Sequence, residues 1–211
     1  MHARFALIVF CALALSSTAL AQDLQNSDDG YLAPKLVLGF GGEGELDFEA
    51  PVPSLEGDLE LTYGLGVAYM QPLHQYFALG GQLIVASWQS EAGAEFDADR
   101  NMYADLSLVP QLKFAVADSV ELYASIPIGL SVNSLGEVDG DAGTGFGFNL
   151  ALMLGARFAI GESWGLLGEV GYAYHSFTHT VEVDTLAGTV DSDLDISLGQ
   201  FGLNIGAWFA L

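Results

Sequence analysis

The sequence predicts an all-β fold, a closed antiparallel up-and-down transmembrane β-barrel of about eight strands. Three observations predict this fold class. The 211-residue chain is 51% hydrophobic and only 15% charged, yet it carries 27 acidic and 5 basic residues. Its apolar residues recur at every second position, which is the period of a strand. Its predicted connections alternate between short and long, as in a sheet that crosses a membrane repeatedly.

The first 21 residues are typical of a secretory signal peptide. Arg4 gives a positive start, an apolar run follows at 5–15, and Ala19-Leu-Ala21 offers a small-x-small cleavage site. The apolar run is shorter than the roughly 20 residues that a spanning helix needs. Cleavage after Ala21 would remove Cys11, the single cysteine, and would exclude disulfide and thiol chemistry. We therefore divide the chain into a signal peptide (1–21), a short periplasmic N-terminal segment (22–30) and a barrel (31–211).

Eight segments after residue 30 alternate between apolar residues and polar or small residues. Their apolar faces carry no charge, and each charge inside a strand falls on the other face. The predicted strands are Leu32–Phe40, Leu59–Tyr69, Phe77–Val85, Met102–Val116, Val120–Val132, Phe146–Phe158, Trp164–Tyr174 and Phe201–Leu211. The third strand is the most ambiguous, and a change of parity near Gly199 predicts a β-bulge before the last strand.

The second face of these strands is mostly Gly, Ala, Ser, Asn and Gln. In a soluble sandwich that face would be the outer one and would be richly charged. Small side chains instead suit the crowded interior of a narrow barrel. The alternation therefore predicts an apolar exterior and a small, polar interior.

The connections separate the two ends of the predicted barrel. Short turns lie at 71–75, 117–119 and 161–163, and long connections lie at 41–58, 89–101, 134–145 and about 176–193. Short periplasmic turns and long outer loops are the outer membrane pattern. An even number of strands closes the sheet, so that no edge is left to lipid.

A family resemblance rests on the closing segment of the chain, Gln200-Phe-Gly-Leu-Asn-Ile-Gly-Ala-Trp-Phe-Ala-Leu211. With the signal peptide and the loop alternation, it resembles the small eight-stranded outer membrane β-barrels of the OmpA-barrel, OmpX and OmpW kind, over about residues 31–211. The resemblance implies an outer membrane location and contact with outer membrane lipid, and the loop alternation predicts both termini in the periplasm. It also implies that the barrel-assembly machinery reads the last strand, with Phe209 and Leu211 as the assembly signal. The family pattern ends in an aromatic residue, whereas this chain ends in Leu211.

Almost all basic residues of the predicted barrel point inward. Apart from Arg100 in a loop, they are joined on the inward face by two glutamates. The predicted interior ionic cluster is Lys35, Lys113, Glu121, Arg157 and Glu169, in the periplasmic half. A charge in a narrow, dry barrel must be paired. We interpret the cluster as a structural salt-bridge network, and a gate or ion path is the alternative.

Most of the acidic residues lie elsewhere, in or beside the four long connections. Such a field disfavours nucleic acid and attracts cations. Asp139-Gly-Asp141 and Asp191-Ser-Asp193-Leu-Asp195 have calcium-like spacing, but neither forms a complete calcium loop with its closing glutamate. These five aspartates are candidate cation-attracting loop acids with divalent cations as partners, and simple solvated loops are the alternative.

The sequence offers little for catalysis. The only candidate cluster is His175, Ser176, His179 and Glu182, and adjacent strand residues point to opposite faces. No phosphate loop, dinucleotide motif or metal-ligand pattern occurs, so we predict no cofactor, no resident metal and no enzyme activity.

Aromatic residues at strand ends predict interfacial girdles. They are Tyr31, Tyr76, Tyr103, Trp164 and Tyr174. Trp208 has inward parity near the last turn, where it would help to plug the lumen.

Three functions are consistent with a predicted barrel of this size and charge. The first is a non-enzymatic outer membrane barrel with an envelope-structural or surface-interaction role through its acidic loops. The second, which the OmpW resemblance permits, is a narrow channel for cations or small solutes. The third is a lipid-modifying barrel enzyme. An eight-stranded interior is only just wide enough for side chains, which argues against a wide pore.

Overall fold

The computed structural model describes residues 29–48, 54–90, 101–135, 143–185 and 188–211. Ten strands and no helix occur in these ranges. They are β1 (Tyr31–Phe48), β2 (Leu55–Asp58), β3 (Thr62–His74), β4 (Phe77–Trp88), β5 (Asn101–Ala117), β6 (Val120–Ser125), β7 (Ile128–Ser134), β8 (Thr144–Ala159), β9 (Trp164–Thr185) and β10 (Gly188–Ala210). Within these ranges, no helix is long and apolar enough to cross a membrane.

The strands form one antiparallel ring. Apart from β2 and the break between β6 and β7, each strand pairs with the next one along the chain, and β10 pairs with β1 from Tyr31↔Ala210 to Phe48↔Leu194. β6 and β7 are two parts of one crossing, because both pair with β5 and with β8 in the same register. β2 is a short addition to the upper part of β1, ahead of β3. The prediction of a closed, all-β barrel of about eight strands is confirmed.

The predicted inside and outside faces match the observed burial. Along β5, for example, Tyr103, Asp105 and Ser107 are buried, whereas Leu106 and Leu108 are exposed. The outer face is a belt of exposed aliphatic and aromatic side chains, such as Leu65 and Phe146, each 69% exposed. An apolar belt of this kind on a closed sheet is the surface that a transmembrane barrel presents to lipid.

Two prolines interrupt the hydrogen-bond ladder midway up the wall. Ile126 N donates to Pro110 O at 3.1 Å, and Ala151 N donates to Pro127 O at 2.9 Å. Because proline has no N–H, neither pair makes the return bond of an antiparallel ladder. The strand formed by β6 and β7 is therefore bonded less completely to both neighbours at this height.

The two ends of the ring differ. At what we call the turn end, tight connections follow β3, β5 and β8, and Leu211 N donates to Gly30 O at 2.9 Å, which places the described chain ends side by side. At the opposite loop end, β1, β9 and β10 extend well beyond the apolar belt. Much of the segments predicted as loops at 41–58 and 176–193 is therefore sheet. The prediction of long, irregular loops is wrong for those stretches, because pairing with neighbouring strands satisfies their backbone.

The predicted bulge at Gly199 is also wrong. β10 pairs with β9 without a break through Gly199, and the register shift lies between Phe40 and Gly42 on the neighbouring strand β1. Gly41 there has a φ of 55°, a left-handed conformation that glycine adopts without a steric penalty. The apolar parity change in β10 arises because its apolar residues before Gly199, which are Leu194, Ile196 and Leu198, point into the barrel, and not because the strand slips.

Candidate functional site: the barrel interior and its outer rim

The interior near the turn end is filled by buried ions. Arg157 Nη2 lies 2.8 Å from Glu121 Oε1, and Arg157 Nε also donates to that oxygen at 3.1 Å. Lys113 Nζ lies 3.6 Å from Glu121 Oε2. All three side chains are nearly inaccessible. Glu121 thus faces two cations, so this group carries a net positive charge.

Lys35 and Glu169 form a second ion pair, farther from the turn end. Lys35 Nζ lies 2.9 Å from Glu169 Oε2 and also donates to Gln82 at 3.0 Å. Glu169 accepts further bonds from Tyr123 at 3.0 Å and Asn204 at 2.9 Å. The structure thus brings the five predicted charges into two groups rather than one chain of ion pairs, with a cavity of about 20 Å³ beside Lys35 and Glu169.

Aromatic rings close the turn end around Arg157. Its guanidinium carbon lies 4.0 Å from the centre of the Tyr31 ring and 5.2 Å from that of Trp208. Such cation–π contacts stabilise a desolvated guanidinium. Trp208 is buried and donates to Phe158 O at 3.3 Å. The sequence prediction placed Tyr31 and Tyr103 in surface girdles. That prediction is wrong because both have inward parity and are buried.

A polar network that the sequence did not predict occupies the middle of the interior. His175 Nε2 lies 2.9 Å from Asp105 Oδ2, and Ser131 donates to Asp105 Oδ1 at 2.5 Å. Asn149 donates to Ser131 at 2.9 Å and accepts from Ser107 at 2.7 Å. The sequence feature that could have predicted this network was Asp105, an acid on the inward face of a strand. Its partner lies 70 residues away along the chain.

A cavity of about 50 Å³ adjoins this network. Its polar lining includes Gln82, Asp105, His175 and Gln200, and its wall reaches Pro127. Two buried acceptor-capable atoms on the lining residues, His175 Nδ1 and Gln200 Oε1, have no hydrogen-bond partner among the described residues. The cavity therefore combines a carboxylate with unmet hydrogen-bonding capacity.

An apolar cluster fills the interior at the loop end. Its buried members are Val37, Leu59, Ile84, Ala86, Trp88, Tyr103, Phe177, Leu194, Ile196 and Leu198. His179 lies beside it, over Gly145 of β8, where a side chain larger than hydrogen would meet the imidazole. Burial lowers the pKa of His179 below 6.5. Burial thus favours the neutral form of this imidazole.

The outer rim carries carboxylates in opposed pairs. Glu43 on β1 lies opposite Asp58 on β2, and Glu45 lies opposite Glu56. Asp47 lies opposite Asp195 on β10. All six side chains are exposed. Directly opposed residues have Cβ atoms about 4.5–5.5 Å apart, at which distance like charges destabilise the pairing.

The five predicted loop acids are distributed differently from the prediction. Asp191, Asp193 and Asp195 lie on β10, not in a loop, and Asp195 accepts a hydrogen bond from Thr178 at 2.7 Å. Asp139 and Asp141 lie outside the described residues. The described part of the chain holds no group of three or more His, Cys, Asp or Glu side chains arranged to bind a metal.

The remaining predicted residues fall at opposite ends. His175 and His179 point inward and Ser176 does not, so the histidine–serine cluster is split between two faces. The side chain of Glu182 is not among those described. Phe209 is outward-facing beside Leu32 and Trp164, and Leu211 ends the closing strand at the turn end.

The comparisons with known proteins agree with this architecture. The family model for the outer membrane protein β-barrel domain matches residues 7–209, so the chain belongs to that family. The outer membrane protein OprG from Pseudomonas aeruginosa has a TM-score of 0.64 and 10% identity, covering 90% of this chain and 99% of its own. Neisserial surface protein A has a TM-score of 0.46 and 10% identity, covering 83% and 96%. Comparison with curated protein sequences gives no match. At these identities the OprG likeness supports the fold alone.

Proposed function

We propose that this protein is a non-enzymatic, closed outer membrane barrel with an envelope-structural role. Its acidic rim holds divalent cations between its own carboxylates and the anionic headgroups of the surrounding lipid. The opposed carboxylate pairs carry the proposal. Along β1 their glutamates and aspartate follow the exposed apolar residues Leu36 and Phe40, so we place them near the lipid headgroups.

The charge distribution supports a cation from solution. The basic side chains of the described residues, Lys35, Lys113 and Arg157, are all buried inside the barrel. None of these three reaches the rim, so we propose that a soluble cation offsets the repulsion between Glu45 and Glu56. Carboxylate oxygens are the ligands that Ca²⁺ prefers, and Mg²⁺ binds through one or two carboxylates and several waters.

The filled interior supports a structural role rather than transport. Buried ion pairs occupy the turn end, and the apolar cluster occupies the loop end. Two cavities inside the described barrel, about 50 and 20 Å³, are each large enough for only a few water molecules.

The test uses the barrel reconstituted in vesicles of phosphatidylglycerol or of phosphatidylcholine. We expect Mg²⁺ to raise the thermal unfolding midpoint more in the anionic vesicles, and we expect Glu45→Gln with Glu56→Gln to remove most of that difference. The matched control is Asp118→Asn with Glu162→Gln, which removes two exposed acids at the turn end. An equal Mg²⁺ response in both double variants would disprove the rim as the cation site.

A second candidate, a narrow conduit, is favoured by one observation. The middle cavity reaches the wall at Pro127, where the hydrogen-bond ladder is incomplete. Single-channel recording in planar bilayers separates the two candidates. We expect no discrete conductance from the wild-type barrel, and reproducible unitary steps would favour the conduit.

A further inference from the structure

We propose that the middle cavity, beside Asp105 and His175, is a binding site for a small ammonium-type cation. This proposal is independent of the proposed function, because the site lies inside the barrel and uses none of the rim carboxylates.

The charge of Asp105 is the first argument. Both ionic groups near the turn end contain their own cations, and Asp105 belongs to neither. Its partners are a hydroxyl, Ser131, and an imidazole, His175. The Asp105 and His175 side chains are only 5% and 4% exposed. A buried carboxylate is costly unless a positive charge accompanies it. An ionised Asp105 therefore needs either a proton on His175 or a cation in the adjoining cavity.

The hydrogen-bonding geometry favours the cation. The Asp105 carboxylate is an acceptor, so His175 Nε2 must donate its proton to it. This leaves Nδ1 of the neutral ring as an acceptor. Nδ1 is buried and is bonded to no described acceptor, Gln200 Oε1 included, so a proton there would have no direct acceptor. A neutral ring instead offers a lone pair to an occupant of the cavity.

Gln200 provides a second acceptor on the same cavity. Its Oε1 is buried without a partner in the described chain, although Gln200 also bonds the Tyr103 hydroxyl. Since Oε1 and His175 Nδ1 are not bonded to each other, an occupant that donates at least two hydrogen bonds would satisfy both. An ammonium group supplies such donors together with the positive charge.

The size of the cavity limits the occupant. Its volume of about 50 Å³ corresponds to a few water-sized groups. Ammonium and methylammonium fit this limit. Tetramethylammonium exceeds it and also has no N–H to donate.

The experiment follows the histidine ring nitrogens by NMR in ¹⁵N-histidine-labelled barrel, folded in detergent micelles at neutral pH. Ammonium chloride replaces tetramethylammonium chloride at constant ionic strength, with exposed His74 as the internal reference. We expect a saturable shift of His175 Nδ1 that His74 does not show. We expect Asp105→Asn to weaken the response at least tenfold, and Gln200→Leu to weaken it less. Asp118→Asn, which removes an exposed carboxylate, should leave it unchanged.

Three results would overturn the proposal. The first is a His175 ring that is already doubly protonated before ammonium is added. The second is the absence of a saturable response, which would mean that the cavity holds water only. The third is an equal response to sodium chloride, which would exclude recognition by N–H donors. Heat modifiability on gels establishes that each variant is folded before its spectrum is interpreted.

Discussion

Arg157 shows how a single side chain can close one end of this barrel. It bonds Glu121 through two nitrogens and lies against the rings of Tyr31 and Trp208. Removing one partner of a buried ion pair leaves the other charge uncompensated, which costs far more than the pair itself contributes. Breaking the Arg157–Glu121 pair should therefore destabilise the turn end even if the intact pair adds little net stability.

We expect Arg157→Ala to lower the free energy of unfolding by about 3–5 kcal/mol, because Glu121 would keep only its 3.6 Å contact with Lys113. Urea titration of the barrel in lipid vesicles measures this change. Arg100→Ala, in a segment that the sequence predicts as a loop, is the matched control and should have little effect. Equal stability of the two variants would show that the interior near Arg157 is hydrated.

His179 should make stability depend on pH. Because burial lowers its pKa below 6.5, the unfolded chain takes up a proton at a higher pH than the folded barrel does. This contribution is fully present above about pH 6.5 and is lost as the pH falls toward the lower, folded-state value. We expect urea stability to fall more between pH 7.5 and pH 5 in the wild type than in His179→Phe. Identical pH dependence would mean that the imidazole is charged or solvated in the folded state.

At the scale of the element, the bulge in β1 redirects the strand. Below Gly41, odd-numbered residues such as Lys35 and Val37 point inward. Above it, Glu43, Glu45 and Asp47 point outward. One extra residue in a strand reverses the faces of everything beyond it. The bulge therefore places the acids of β1 on the rim instead of inside the barrel.

Gly41→Ala should destabilise this turn of the strand. A φ of 55° costs an L-residue about 1–2 kcal/mol. A Cβ added at Gly41 would meet no other atom, so the substitution tests backbone strain without a steric clash. Gly168→Ala is the matched control, since a Cβ there also meets nothing and φ is not positive. We expect only Gly41→Ala to lower urea stability. If both variants behave alike, the bulge is not strained.

The closing strand β10 pairs with β9 and β1 along almost its whole length. If its last outward residues are an assembly signal, their position should matter more than their apolar area. We expect Phe209→Ala to reduce the heat-modifiable barrel in membranes. We expect Phe201→Ala, an exposed outward phenylalanine in the same strand, to leave folded yield nearly unchanged. If both variants lose the same amount of folded barrel, general hydrophobicity and not the position of Phe209 determines assembly.

At the scale of the whole molecule, the two ends of the barrel differ in how far the strands extend beyond the apolar belt and in their charge. The turn end has tight connections and the chain ends, whereas the loop end continues as acidic sheet beyond the apolar belt. From this asymmetry we expect the acidic rim to lie outside the cell and both termini to lie in the periplasm. A polyanionic rim of this kind would repel nucleic acid.

The orientation can be tested with single cysteines, because the only native cysteine, Cys11, lies in the predicted signal peptide. We expect a membrane-impermeant maleimide to label Asp193→Cys on intact cells, and Asp118→Cys only after the outer membrane is opened. Both native side chains are exposed, so accessibility to reagent is matched. Labelling of Asp118→Cys on intact cells would reverse the topology.

The sequence by itself determined the fold class and the face of most strand residues. Strand alternation is a local property, so Lys35, Lys113 and Arg157 could be placed inside from their neighbours alone. Only the tertiary structure decided which charge meets which, since Lys35 and Glu169 are 134 residues apart. It also decided the bulge position, the Asp105–His175 network and the opposed rim acids. Each of these depends on the register between strands, and closing the ring couples all the registers at once.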